Sequence, residues 1–184
     1  MVHNIADLAY VKTGIFASVG VAGEVVYLQA KHFDVFGQMA SAPPADLRAD
    51  SVANKHLLKP GDVLFAAKGS KNFAALYQGY FPAVASTTFL VMSLRDRKIL
   101  PEYLTWILNS PETLALLKRQ AIGSSMVSIS KAVLESLEIS VPSIEKQKQI
   151  LAISKLSKTE NELRMKIAEL RQNQIQHQIN NAIK

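Results

Sequence analysis

Two ammonium groups, a hydroxyl, a carboxamide and a glycine stand together at residues 68–72, Lys68-Gly69-Ser70-Lys71-Asn72. Lys68 and Lys71 suit phosphate oxygens or a guanine edge. Asn72 suits adenine N6 and N7, and Ser70 suits base or backbone. Gly69 permits close approach to a ligand. The same residue types also make an ordinary solvated β-turn. Arg119 to Ser125 is a second candidate, because Arg119, Ser124 and Ser125 flank Gly123. A helix stop explains that stretch equally well. Lys12-Thr13-Gly14 is a third, weaker candidate. Arg95-Asp96-Arg97-Lys98 reads as a solvated connection. Tyr103 and Trp106, beside Leu104 and Ile107, read as core rather than as base-stacking platforms.

Catalytic patterns are missing. Gly61 and Gly69 are eight apart and Lys71 follows the second by two, so the phosphate-loop spacing is absent. His3, His32, His56 and His177 lack metal-ligand spacing. No serine lies in a G-x-S-x-G elbow, and the acids are scattered. No cofactor or metal is expected.

The elements that must position these residues are legible in part. Ile5–Val11 and Glu24–Gln29 read as strands, residues 30–57 as irregular. Strands follow at 62–67, 73–77 and 82–92, the last rich in Val, Thr and Phe. The loop at 68–72 therefore leaves the end of a buried strand, Val63-Leu64-Phe65-Ala66-Ala67, which Pro60-Gly61-Asp62 introduces. Pro101 opens a helix, and Ser110-Pro111-Glu112 opens another, with an N-cap, a proline at N1 and an acid in the first turn. Leu114, Leu116 and Leu117 should pack inward. A short helix over 130–136, capped by Ser128 or Ser130, precedes a strand around Leu137, Ile139 and Val141.

After Pro142 there is no Gly or Pro, and helix formers dominate. Ile153, Leu156, Glu160, Leu163, Ile167 and Leu170 follow 3,4 spacing, a coiled-coil-like seam. The stripe then changes phase to Ile175, Ile179 and Ile183. Such a helix cannot hide its stripe on a small domain, and the sequence offers one such helix. Its partner is expected to be a second copy or another protein. The fold class expected is α+β: a mixed or antiparallel sheet with packed helices over 1–142, then a long coiled-coil-type helix over 143–184.

The net charge of +6 and pI near 9.5 favour a polyanionic partner, most simply nucleic acid. The helix holds +4 of that charge, so a nucleic-acid surface on the globular part must come from clustering. No apolar run reaches the roughly 18 residues of a membrane span. The N-terminus lacks signal-peptide character, and there are no cysteines. A cytoplasmic location is expected.

The order of these features resembles the target-recognition domain plus conserved helix of the DNA-specificity (S) subunit of type I restriction–modification enzymes. Residues 58–67 and 100–150 carry the likeness best, through "LPEYLTWILNSPE" and "GSSMVSISKAVLESLEISVPSIEKQKQI". The opening segments "IADLAYVKTGIFAS" and "VVYLQAKHFDVFGQ" resemble the family more loosely. Two departures stand out. The family's Pro-x-x-x-Glu-Gln has Lys146 in place of Glu, although Gln147 and Ile150 fit. A full S subunit also has two recognition domains and two helices, whereas this chain has one of each, as a half-subunit would.

The resemblance implies a non-catalytic subunit binding double-stranded DNA, with a methyltransferase (modification) subunit and a restriction subunit as partners. S-adenosylmethionine would belong to the methyltransferase. In the family the two helices pack antiparallel. A half-subunit would rebuild this as a homodimer through Ile153, Leu156, Leu163, Ile167, Leu170, Ile175 and Ile179, and would read a split inverted repeat. The competing reading is a coiled-coil assembly or regulatory protein whose globular domain binds protein. An enzyme of unrecognised type ranks last.

Overall fold

The computed structural model describes residues 1–20, 22–39, 41–69, 71–120 and 128–183. The chain divides into two compact units, Met1–Ile144 and Glu145–Lys184.

The first unit is built round a four-stranded antiparallel sheet. β1 (Val2–Asn4), α1 (Ile5–Leu8), β2 (Ala9–Thr13) and β3 (Val26–Leu28) come first. Three single-turn 3-10 helices, Ala30–His32, Ala49–Ser51 and Asn54–His56, interrupt the long connection that follows. Then come β4 (Val63–Ala66), β5 (Ala74–Leu76), β6 (Ala83–Ala85) and β7 (Phe89–Leu94). Next are α2 (Pro101–Leu108), α3 (Pro111–Arg119), α4 (Lys131–Glu135) and β8 (Glu138–Ser140). The main sheet runs β2-β7-β4-β5, with Phe65 opposite Leu90 and Val11 opposite Met92. β3 and β6 pair in parallel, and β1 and β8 pair antiparallel. The architecture is α+β, as the sequence implies.

Alternation explains the core. Leu64, Ala66, Ala75, Phe89 and Val91 cluster with Val26, Leu28, Ala83 and Ala85 of the parallel pair. Phe33, Phe73 and Phe89 close this layer with ring centroids 5.7–6.1 Å apart, a spacing that suits tilted and edge-on aromatic contacts. Asp62 fixes the entry to β4. Its carboxylate accepts from the Lys59 N–H (2.8 Å) and the Ser93 hydroxyl (2.6 Å), so a buried charge is fully partnered. Gly61 beside it has φ +93°, which a side chain would resist. At the sheet edge the Asn109 carboxamide accepts from the Ala74 N–H (2.7 Å) and donates to the Ala74 carbonyl (2.8 Å). It thereby stands in for a missing neighbour strand.

Three local expectations need correction. Residues 5–8 are a helical turn rather than strand, because burying both Ile5 and Leu8 needs i,i+3 spacing. The expected strand over 82–92 is two strands. The Phe89 N–H donates to the Ser86 carbonyl (2.9 Å) and turns the chain. In α3 Leu117 is buried but Leu116 is 41 % exposed. Ser110 caps α3 and Ser130 caps α4, by accepting from the N–H groups of Thr113 and Val133.

The second unit is the helix α5, Ile144–Ala182, with 39 residues and a length of about 58 Å. Its apolar stripe is open within this unit, with Ile153, Leu156 and Leu163 all 59 % exposed or more. Lys158–Glu162 and Glu160–Arg164 form i,i+4 ion pairs. Such exposed pairs give only a few tenths of a kcal/mol each (about 0.3–0.5). Among the described residues no helix is long and apolar enough to cross a membrane.

Candidate nucleic-acid interface

One end of the main sheet gathers the C-termini of β2 and β4 and the N-termini of β5 and β7. The connections leaving these strands therefore share a rim. The loop after β4 is anchored on three sides. The Ala67 N–H donates to the Thr88 carbonyl (2.9 Å), the Ala66 N–H to the Phe73 carbonyl (2.8 Å) and the Ile129 N–H to the Ala67 carbonyl (2.9 Å). Lys68 pairs through its backbone with Ser128 in an isolated antiparallel bridge. Gly69 has φ +119° with nothing within 4 Å of the place a Cβ would occupy. Its glycine serves the backbone conformation, not the space.

Lys68 and Lys71 are both exposed. Among the described residues no acid pairs with either. Asn72 is placed differently from the two lysines. It is 7 % exposed, and Nδ2 donates to the Ala66 carbonyl (2.9 Å). The carboxamide thus closes the loop from within through one of its N–H groups. Ser70 lies outside the described residues.

Lys12 and Thr13 end β2 on the same rim. Thr13 is exposed, while Lys12 is half-buried and its Nζ donates to the Lys55 carbonyl (3.2 Å). Gly14 is required here. A Cβ would sit 2.1 Å from the Ser86 carbonyl oxygen, because the Gly14 N–H donates to Phe89 and the Ile15 N–H to Ala85. The β6–β7 turn thus lies between the first and third candidate stretches and joins them. Arg119 is exposed in the last turn of α3. Among the described residues no hydrogen bond or ion pair ties it to the rim. Ser124 and Ser125 lie outside the described residues.

Sequence reasoning missed Thr88 and Ser128, whose backbones frame the Lys68 loop. The Ser86-Thr87-Thr88 run was the available signal. Its hydroxyls meet (Ser86 Oγ to Thr88 Oγ1, 2.6 Å) at a turn inside what read as one strand. At the other end of the sheet, the Arg95 guanidinium lies 3.9 Å above the Tyr10 ring. There a backbone hydrogen bond from Lys98 holds the Asp96 carboxyl below its usual range. That end carries its own acid, whereas the Lys68–Lys71 rim is basic. Among the described residues no cluster of three metal-ligating side chains occurs.

A family profile described as type I restriction modification DNA specificity domain matches residues 51–183. The chain belongs to this family. Among curated protein sequences none matches it. Solved structures with a similar fold include the following three. The S subunit of a type I restriction–modification system from M. genitalium superposes with TM-score 0.59 at 16 % identity, covering 85 % of this chain and 38 % of that one. The HsdS subunit from Thermoanaerobacter tengcongensis gives 0.67 at 19 %, covering 94 % and 46 %. A chain from a study of complex assembly and conformational transition in the type I system gives 0.65 at 17 %, covering 92 % and 41 %. At these identities the likeness is one of fold. This chain spans less than half the length of each.

Proposed function

We propose that this chain is a DNA-recognition half-subunit of a type I restriction–modification system. Its globular unit, the recognition domain, reads duplex DNA through the rim that carries Lys68, Lys71 and Thr13. Family membership supports this reading. The observation that carries it is a basic rim whose two lysines are exposed, unpaired among the described residues, and held on a loop anchored from three sides. Phosphate contacts by such residues set register, while base contacts set sequence. Asn72 acts inside the loop as a positioning residue. Arg119, Ser124 and Ser125 complete the candidate set.

The chain is non-catalytic and delivers a methyltransferase subunit, and through it a restriction subunit, to the site. It works in the cytoplasm. It acts as a homodimer whose α5 helices pair antiparallel through Ile153, Leu156, Leu163, Ile167 and Leu170. Ile175 and Ile179 extend the contact. Two identical readers related by a two-fold axis recognise a split inverted repeat.

Filter binding on a random duplex pool tests this. Selected duplexes should carry two inverted half-sites, and the purified chain with S-adenosylmethionine should transfer no methyl group until a methyltransferase subunit is added. Recovery of one asymmetric site, or methyl transfer by the chain alone, overturns the scheme.

One observation favours the protein-binding alternative. A cleft of about 780 Å³ beside β5, lined by Phe33, Phe36, Met39, Tyr80 and Phe81 among others, has no charged residue in its wall. Phe36→Ser with Tyr80→Ser separates the readings. Loss of duplex binding is not expected, whereas loss of a protein partner with intact DNA binding would assign the cleft to protein.

A further inference from the structure

β5 is the outer strand of the main sheet, beyond β4. The Phe73 carbonyl accepts from the Ala66 N–H (2.8 Å), and the Tyr77 N–H donates to the Asp62 carbonyl (2.9 Å). Strand alternation then sends the N–H and carbonyl of Ala74 and of Leu76 away from β4. Asn109 covers both groups of Ala74. Among the described residues nothing bonds to either group of Leu76. An edge left open in this way is a template for another chain. Leu76 also lines the uncharged cleft beside β5, and both walls of that cleft are held in place. On one wall Asp34 accepts from the N–H groups of Phe36 and Gln38 (2.8 Å each). On the other the Tyr77 hydroxyl donates to the Phe81 carbonyl. Phe36 and Tyr80, one on each wall, are 68 % and 82 % exposed.

We propose that an extended peptide segment, with a Lys or Arg between two apolar residues, adds antiparallel to β5 beside Leu76. The peptide backbone supplies the donor and acceptor that Leu76 lacks, and side chains on alternate faces fix its type. An antiparallel pair places both bonds on one residue, which suits so short an edge. Ala75 and Tyr77 belong to the core layer of Phe33, Met39 and Phe81. Leu76 lies between them and turns to the opposite face. There it shares a second depression, of about 340 Å³, with Pro101 and Glu102 of α2. Glu102 is exposed, and among the described residues no cation pairs with it. The peptide residue opposite Leu76 stands on Leu76's face, beside that carboxylate, hence the basic residue. Its two neighbours point into the aromatic cleft, hence the apolar ones. Asn109 blocks the edge at Ala74 and so sets the register. A neutral wall with a carboxylate beside it repels phosphate and suits peptide rather than nucleic acid. No residue of this surface belongs to the Lys68–Lys71 rim, so peptide binding does not require the rim.

The probe is a fluorescein-labelled, amidated pentapeptide, Thr-Phe-Lys-Phe-Thr, titrated with the full chain and followed by fluorescence anisotropy. It should bind saturably. Methylating the backbone nitrogen of its lysine keeps every side chain but removes the N–H that meets the Leu76 carbonyl. Binding should weaken at least tenfold. Replacing that lysine by glutamate should weaken binding at least threefold, and Glu102→Lys should reverse the preference. Leu76→Pro removes the N–H on the protein's side of the pair. Proline is tolerated at a sheet edge whose N–H faces outward, so the β4 ladder survives. This variant should also bind the peptide at least tenfold more weakly, with duplex binding unchanged. In the free chain the Leu76 amide should exchange freely with solvent, and saturating peptide should protect it.

No saturable binding at millimolar peptide, or equal affinity for the N-methylated peptide, overturns the strand addition. A Glu102→Lys chain that still prefers the lysine peptide removes the carboxylate from the site. Protection of the Leu76 amide that rises with the concentration of the chain alone assigns the edge to a second copy. Displacement of the peptide by duplex DNA assigns the cleft to nucleic acid. Either of these last two results also overturns the proposal.

Discussion

Lys71 and Asn72 are adjacent in sequence and opposite in circumstance. The first is exposed with no acid partner among the described residues, and the second is buried with its amide bonded to Ala66. Lys71→Ala should weaken duplex binding similarly for all sequences. It should also reduce the slope of log K against log salt by roughly 0.9, the value for one neutralised phosphate. Filter binding over a salt series measures this, and an unchanged slope removes Lys71 from the interface. Asn72→Ala should instead cost about 1–3 kcal/mol in urea unfolding, because the Ala66 carbonyl loses its buried donor. Base preference among the molecules that remain folded should not change.

His32 offers a test that is independent of DNA. Its Nδ1 accepts the Gln29 N–H at 3.2 Å, which only the neutral ring can do. Burial first, and Lys31 second, lower its pKa from 6.5, while Asp46 opposes them. The unfolded chain thus binds the proton at a higher pH than the folded one. Stability present above about pH 6.5 is lost as pH falls through the lower folded value. Urea midpoints should drop over that interval. In His32→Gln, which retains an acceptor without titrating, that part of the drop should vanish.

At the scale of elements, Glu160 interrupts an otherwise apolar seam in α5. If two copies pair through that seam, Glu160 faces Leu163 of the other copy, near the dyad. A carboxylate there is desolvated without gaining a cationic partner beyond Arg164 of its own helix. Glu160→Leu should tighten the dimer about tenfold or more by sedimentation equilibrium. An unaltered Kd would place the interface on another face.

The helices were the elements most legible in the sequence. Ser110-Pro111-Glu112 and Ser130 carry local capping chemistry, and the Gly- and Pro-free run after Pro142 leaves little besides helix. Strand limits were harder. Residues 82–92 are β-prone throughout, and only a tertiary fact divides them: Ser86 accepts from Phe89 while β6 and β7 pair with different strands. The candidate site was legible as residue types and not as an arrangement. Lys12-Thr13-Gly14 and Lys68–Asn72 are far apart in the chain, and the β2-β7-β4 order brings them to one rim. The burial of Asn72 was not legible, because it depends on the path of the loop, which residue type does not encode.

For the whole molecule, the proposed dimer makes α5 a ruler between two readers. With Ile179 level with Ile144 of the second copy, the two roots stand about 52 Å apart, at 1.5 Å for each helical residue. Removing seven residues inside the seam, 156–162, deletes two helical turns and keeps the face of the remaining stripe nearly aligned. Each copy loses the same length, and the restored antiparallel register brings the roots about 10 Å closer. On B-form DNA that distance is about three base pairs, at 3.4 Å each. The deletion variant should select an inverted repeat whose spacer is shorter by about three base pairs while its half-sites are unchanged, since the recognition loops are untouched. A five-residue deletion should behave differently. It turns the stripe through about 140° relative to the globular unit, so it should abolish pairing rather than shorten the spacer. Sequencing of selected duplexes distinguishes these outcomes. An unchanged spacer in the seven-residue variant would show that something other than α5 sets the separation of the readers.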